Sequence, residues 1–173
     1  GQQQQPHHHQ QQQQQQQRHP TGTVNSDGSI TTRNADGGKT TLSVDGQTNT
    51  TVAADGRTTM TRLNGDGSVT TRSADGAERV APALRKADGS TVAKTPDGGM
   101  VVATADRSTV TMVGADGMLS KTTMHADGSK TTGISAADGS ISEYRVAQDG
   151  HVISAEAVGG QQQQPHQQQQ QQQ

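Results

Sequence analysis

The sequence predicts an all-β chain, a repetitive antiparallel meander of β-hairpins forming an elongated single-layer sheet between glutamine-rich ends. Three observations carry that expectation. Aspartate stands directly before glycine at Asp27, Asp36, Asp45, Asp55, Asp66, Asp75, Asp88, Asp97, Asp116, Asp127, Asp138 and Asp149. Most of these aspartates lie 9 to 11 residues apart, which leaves about seven to nine residues for each extended segment. The segments themselves are rich in Thr, Val, Ile and Met, as in Ser68-Val69-Thr70-Thr71-Arg72, the residue types that suit a pleated surface.

The turns come first, because they set the comb. A type I′ hairpin turn needs φ > 0 at both central positions, which glycine accepts freely and aspartate tolerates. On that reading Asp27 with Gly28, Asp36 with Gly37, Asp66 with Gly67, and Asp127 with Gly128 are turn-forming pairs. Asp106 holds one further place in the series, but Arg107 follows it.

Taken in order, residues 1–20 are a Gln/His-rich spacer, expected to be disordered on composition alone, although polyglutamine also aggregates as β-structure. Residues 21–159 hold the hairpin repeat, and residues 160–173 return to glutamine. Gly160-Gln161-Gln162-Gln163-Gln164-Pro165-His166 repeats Gly1-Gln2-Gln3-Gln4-Gln5-Pro6-His7 residue for residue. Two explanations stand side by side: coincidence in low-complexity sequence, or the start of a second copy in a tandem array. Gly1 in place of methionine suggests a processed or excised piece, and no signal peptide is evident.

A second repeat lies inside the hairpin region, as an internal duplication of 27–87 in 88–148. Shifted by 61 residues, positions 27–71 and 88–132 share 19 identities without a gap, including Thr48 with Thr109 and Val52 with Val113. The alignment sets Arg107 against Gly46, so Gly46→Arg is expected to be tolerated better than Gly67→Val. Pro82 lacks a ladder donor and sits in the longer interval from Ala77 to Ala87, where a bulge, an irregular loop or a short helical turn is expected.

Alternation along the segments is faint. Met100-Val101-Val102 is apolar on both faces and Lys39-Thr40-Thr41 polar on both, so no strand-by-strand apolar face for a sandwich is evident. A β-solenoid is the alternative, but intervals of mixed parity break the register that stacked coils need. The meander gives about 14 strands in one ribbon.

Composition limits function. Phe, Trp and Cys are absent, Tyr144 is the only aromatic, and Leu, Ile and Val number 21, too few for an ordinary core. Fourteen basic against 16 acidic residues give a net charge of −2 with no basic stripe, so no nucleic-acid partner is expected. No apolar run approaches the length of a membrane span, so no membrane insertion is expected. No nucleophile elbow, phosphate loop or nonapeptide calcium repeat is present, and we expect no enzyme activity, no cofactor and no metal site. His7-His8-His9 belongs to the low-complexity tract, and His125 and His151 read as solvated residues. Asn49-Thr50-Thr51 is a glycosylation sequon, relevant to a secreted chain.

The tandem Asp-Gly hairpins resemble the C-terminal domain of the T-complex protein 10 family, the glycine-rich G-box of centriole-assembly scaffolds. Ala35-Asp36-Gly37-Gly38-Lys39-Thr40-Thr41 and Ala126-Asp127-Gly128-Ser129-Lys130-Thr131-Thr132 carry the resemblance, over roughly residues 21–158. It implies a free-standing antiparallel sheet that grips a short proline-containing peptide of a partner scaffold. Phe, Tyr and Lys are frequent between the turns in that family and sparse here, so no binding residue carries over.

The expectation is therefore a structural or protein-interaction module, a scaffold or filament-forming repeat that self-assembles edge to edge. Its partners would be itself or a scaffold protein or peptide, in a cytoplasmic or cytoskeletal setting. The alternatives are an extracellular adhesin or glycosylated surface fibre, and a Thr-rich ice- or surface-binding protein. The candidate assembly edges are Thr21 to Ser26, centred on Val24, and His151 to Val158, centred on Ile153. Neither edge carries much charge, so neither is protected against pairing.

Overall fold

The computed structural model describes residues 22–136 and 138–158. Both glutamine-rich spacers and the His7-His8-His9 tract lie outside the described residues. Within them the chain forms strands joined by turns, without helix. The first seven strands are β1 (Gly22–Val24), β2 (Ile30–Arg33), β3 (Lys39–Leu42), β4 (Thr48–Val52), β5 (Thr58–Leu63), β6 (Val69–Arg72) and β7 (Glu78–Ala81). Next come β8 (Leu84–Arg85), β9 (Thr91–Lys94), β10 (Met100–Ala103) and β11 (Thr109–Val113). The series closes with β12 (Leu119–Met124), β13 (Lys130–Ser135), β14 (Ile141–Val146) and β15 (Val152–Ala157).

Consecutive strands pair antiparallel throughout, which is the expected meander and leaves no room for stacked solenoid coils. The ladder breaks once. β1–β7 form one sheet and β8–β15 another, with Pro82 and Ala83 as the irregular link between them. A proline lacks the amide that a continuing ladder would use, so the break falls where the sequence weakens pairing.

The two sheets are not one flat layer. Leu42, Leu63 and Val69 of the first sheet form a buried cluster with Ala93, Val101, Ala103, Val110 and Met112 of the second. Ile30 joins Met118, Ile134 and Tyr144 in another, with Val24 packed against it. Polar bonds also cross the gap: the Gly22 amide donates to Tyr144 Oη at 2.7 Å, and the Arg107 guanidinium donates to the carbonyls of Asn64 and Gly65. The expected single layer is thus folded back on itself at residues 82–83. The physical reason is that a shared core does not need a wholly apolar face on every strand. Here most strands supply one or two apolar residues, and paired hydroxyls fill the rest of the inner face, as with Thr40 and Thr51 at 3.1 Å and Thr122 and Thr132 at 3.1 Å.

The turns also differ in detail from the expected type I′. Gly28, Gly37 and Gly67 sit at φ of 85°, 86° and 88°, but the aspartates before them do not have positive φ. The Gly28 amide donates to Asn25 O, and the Asn25 amide to Ser29 O. That is a type I turn followed by a glycine bulge, with φ > 0 at the glycine alone. Aspartate is there for its side chain: Asp27 Oδ1 accepts from the Ser29 amide at 2.9 Å and from its hydroxyl at 2.6 Å. The same pair of bonds recurs at Asp66, Asp88, Asp127 and Asp138. Two turns are one residue longer, Ser43 to Thr48 and Thr104 to Thr109, and their bonding matches 61 positions apart. Arg107, at φ 60°, is the one residue other than glycine with positive φ among the described residues.

Candidate functional site

The fold leaves four strands with an unpaired side, β1 and β7 on the first sheet and β8 and β15 on the second. β8 has two residues, Leu84 and Arg85, and β7 carries Glu78 and Arg79, so both are short or charged in the way that blocks pairing. β1 has three residues, and its outward Gly22 amide is already taken by Tyr144. Val24, expected at the centre of this edge, is half-buried with its side chain against the Ile30–Tyr144 cluster. β15 is the long open edge. Val152, Ile153 and Val158 along it are 45%, 49% and 46% exposed, and Glu156 is its single charge. Ile153 is an extra residue: Arg145 pairs with Ser154 while Val146 pairs with Val152, a β-bulge that bends the edge. Ser154 to Ala157 thus form a regular strand with one unpaired side, and the bulge bends the part before it.

The second feature is a cleft between the layers. The inner face of the first sheet presents Thr40, Asn49, Thr51, Thr59 and Thr61, opposite the turns around Asp97 and Gly114-Ala115-Asp116 of the second. With Asn34 to Asp36 and Met118 they enclose about 350 Å³. Asn49, singled out from sequence only as a sequon, is half-buried on this inner face. Its carboxamide oxygen has no contact with solvent and no hydrogen-bond partner. A smaller space of about 30 Å³ continues behind it, between Asn49 and Val101, Met112 and Val113.

Electrostatics at the turns are uniform. Hydrogen bonds from the Ser29 hydroxyl and amide hold the Asp27 carboxyl below its ordinary value of 3.8. The same donors act on Asp66, Asp88, Asp127 and Asp138, while the Arg57, Ser108 and His151 amides lead at Asp55, Asp106 and Asp149. These carboxylates are engaged in their own turns. Among the described residues no group of His, Asp and Glu side chains is arranged to hold a metal ion. His125 Nε2 meets the Thr131 hydroxyl at 2.7 Å, and His151 Nδ1 meets Asp149 at 2.5 Å. No helix of the described residues is long and apolar enough to cross a membrane.

Sequence reasoning passed over the cleft, although a signal was present. Thr40, Asn49 and Thr51 stand 61 residues before Val101, Val110 and Met112. Val101, Val110 and Met112 are buried and apolar, whereas Thr40 is buried as a threonine and Asn49 and Thr51 are half-buried. Tyr144 was visible as the only aromatic, but not as the hydroxyl that joins the two sheets.

The class these features define, over the described residues, is a two-layer, all-β hairpin-meander module with a long open edge at β15 and a cleft between its layers. No family model and no curated protein matches the sequence. Among solved structures the chain is similar to the TCP10 domain of Danio rerio CPAP, at 17% identity and TM-score 0.33, covering 81% of this chain and 90% of that one. It is also similar to the TCP10c domain of Drosophila melanogaster Sas-4, at 18% identity and TM-score 0.28, covering 79% and 98%. A third is the Danio rerio CPAP domain in complex with a peptide of Danio rerio STIL, at 17% identity and TM-score 0.28, covering 79% and 98%. These are the domains that the Asp-Gly comb resembles in sequence.

Proposed function

We propose that this chain is a structural or protein-interaction module whose β15 edge takes up a further strand, from a second copy of itself or from a scaffold peptide. One observation carries the reading: residues 154–157 form a regular edge, open on one side, with exposed apolar neighbours and a single acid. An edge of that kind offers a row of unpaired amides and carbonyls to any extended segment. The Val158 amide donates inward to Ile141 O at 2.8 Å, so by the alternation of an antiparallel ladder Ala155 and Ala157 direct theirs outward.

The experiment is sedimentation of the chain over a wide concentration range, beside the variant Ile153→Lys with Ala155→Pro. The variant adds charge and removes an outward donor without touching the inward ladder. We expect the parent to associate progressively and the variant to stay monomeric with an unchanged far-UV spectrum. A parent that stays monomeric at the highest concentration ends the self-assembly branch. Equal association of parent and variant ends the β15 edge reading.

A further inference from the structure

From the interlayer cleft we infer a second binding site, for a neutral carbohydrate of one or two pyranose units. It is separate from the β15 edge and does not depend on it.

The cavity comes first. Two sheets in face-to-face contact normally interdigitate apolar side chains. Here a space of about 350 Å³ remains between the first sheet and the turns of the second, open at its mouth. That is the lower end of the size of small-ligand sites. The floor is made of Thr40, Asn49, Thr51 and Thr61, neutral groups that both donate and accept hydrogen bonds. Asn49 Oδ1 and, outside the cleft lining, Thr71 Oγ1 are buried without a partner, so this face carries polar capacity that its own bonds do not use.

The second sheet supplies the internal control. At the positions 61 residues further on, the chain places Val101, Val110 and Met112 where the first sheet has Thr40, Asn49 and Thr51. Those three are 2%, 3% and 3% exposed. At these three positions the second sheet is apolar and the first polar, whereas the fourth floor residue, Thr61, is matched by Thr122, a buried threonine.

The chemistry of the lining then selects the ligand. A sugar hydroxyl donates and accepts at once, which matches threonine hydroxyls and a carboxamide. Asp97 and Asp116, at the mouth, use one oxygen each inside their own turns and leave the other to accept from a diol. Ala115 and Met118 offer small apolar surface to the C–H face of a ring. A pyranose unit fits this volume with room for a second.

The test is a titration of ¹⁵N-labelled chain with maltose, cellobiose and di-N-acetylchitobiose separately, and with N-acetyl-arginine methylamide as a cationic comparison. The side-chain amide of Asn49 is the reporter. We expect at least one disaccharide to shift that resonance together with the Thr61 amide, saturably, while the arginine derivative does not. The variant Asn49→Val with Thr51→Met should bind at least tenfold more weakly. It should also keep or raise its urea midpoint, because it carries the residue types of the other sheet. Thr61→Val, which removes one hydroxyl at constant shape, should weaken binding in a chain whose fold is undisturbed. No saturable shift with any disaccharide overturns the inference. So do equal binding by both variants and a preference for the arginine derivative. The Ile153→Lys, Ala155→Pro chain should bind sugar as the parent does, which separates this site from the edge.

Discussion

The inner faces of the two sheets do the same job with different materials. The second sheet brings Ala93, Val101, Ala103, Val110, Met112, Ile134, Tyr144 and Val146 to the interface, all buried. The first brings Ile30, Leu42, Leu63 and Val69, and between them Thr32 and Thr40 are buried as well. The second sheet has buried hydroxyls too, at Ser120, Thr122, Thr132 and Ser142, so the contrast is confined to β9–β11, whose buried residues Ala93, Val101, Ala103, Val110 and Met112 are all apolar. The comparison teaches that a core of this size can be completed around one apolar patch, provided the hydroxyls elsewhere on both faces are paired. Thr40 shows how: its hydroxyl meets Asn34 Oδ1 at 3.0 Å and Thr51 at 3.1 Å. Asn49, whose carboxamide oxygen has no such partner, lies beside them in the cleft lining.

The largest expected effect tests how much the apolar layer contributes. Tyr144 is 1% exposed, and its hydroxyl accepts from the first sheet at Gly22. Tyr144→Ala should cost about 3–5 kcal/mol by opening a cavity in that layer. Tyr144→Phe should cost about 1 kcal/mol, the net worth of one hydrogen bond. Urea titration of both variants separates packing from the inter-sheet bond. Equal losses would mean that the ring contributes little and that the two-layer account is misjudged.

A smaller effect compares glycines that face the other sheet with glycines that do not. A Cβ on Gly46, at φ 69°, would lie 2.4 Å from Thr122 Cβ across the interface, whereas one on Gly56, at φ 86°, meets nothing within 4 Å. Gly56→Ala should cost about 1–2 kcal/mol from left-handed strain alone. Gly46→Ala should cost about 1–3 kcal/mol more, the range for overpacking. This weighs against the sequence expectation that Gly46→Arg would be tolerated better than Gly67→Val, since a Cβ on Gly67 would lie 2.8 Å from Thr91 and one on Gly46 closer still to Thr122. Arg107 occupies the corresponding turn on the second sheet half-buried, with its guanidinium on the Asn64 and Gly65 carbonyls, whereas Gly46 is buried against Thr122. Matching urea midpoints for the two alanine variants would count against close contact at Thr122.

The smallest effect is acid sensitivity, shared by both sheets. Eight turn aspartates are held below 3.8 in the folded chain, Asp27, Asp55 and Asp66 in the first sheet and Asp88, Asp106, Asp127, Asp138 and Asp149 in the second. A lowered folded pKa stabilises the fold above the unfolded value and ceases to do so as pH falls through the folded one. The urea midpoint should therefore be level from neutral pH down to about 5, then decline below about 4. Asp66→Asn, which keeps the acceptor for the Ser68 amide, should make that decline shallower. A midpoint that rises on acidification would reverse the sign and remove these turns from the account.

Most of the strand pattern was legible in the sequence, because the turn signal is local. Each Asp-Gly fixes a reversal by its own bonds, and the strands between them pair with their neighbours by default. The turn type was misread because aspartate was credited for its backbone, when its carboxylate is what the turn uses. The second layer was hidden for a different reason. It depends on contacts such as Gly22 with Tyr144 and Leu63 with the β9–β11 side chains, which are distant in sequence and leave no periodic trace. The cleft was hidden for the same reason, since polar residues on a strand read as an exposed face until the other sheet is placed over them.

The central claim is that the meander is folded in two, and the chain carries a convenient reporter. Tyr144 is its only Phe, Tyr or Trp, so nuclear Overhauser contacts from that ring are unambiguous among those residues. In a flat ribbon the strands holding Gly22 and Tyr144 would be about 60 Å apart, at about 4.8 Å per strand. The two-layer structure predicts contacts from the ring to the Gly22 amide and the Ile30 methyl groups. Contacts confined to Thr132 and Ala155, its neighbours within the second sheet, would contradict it.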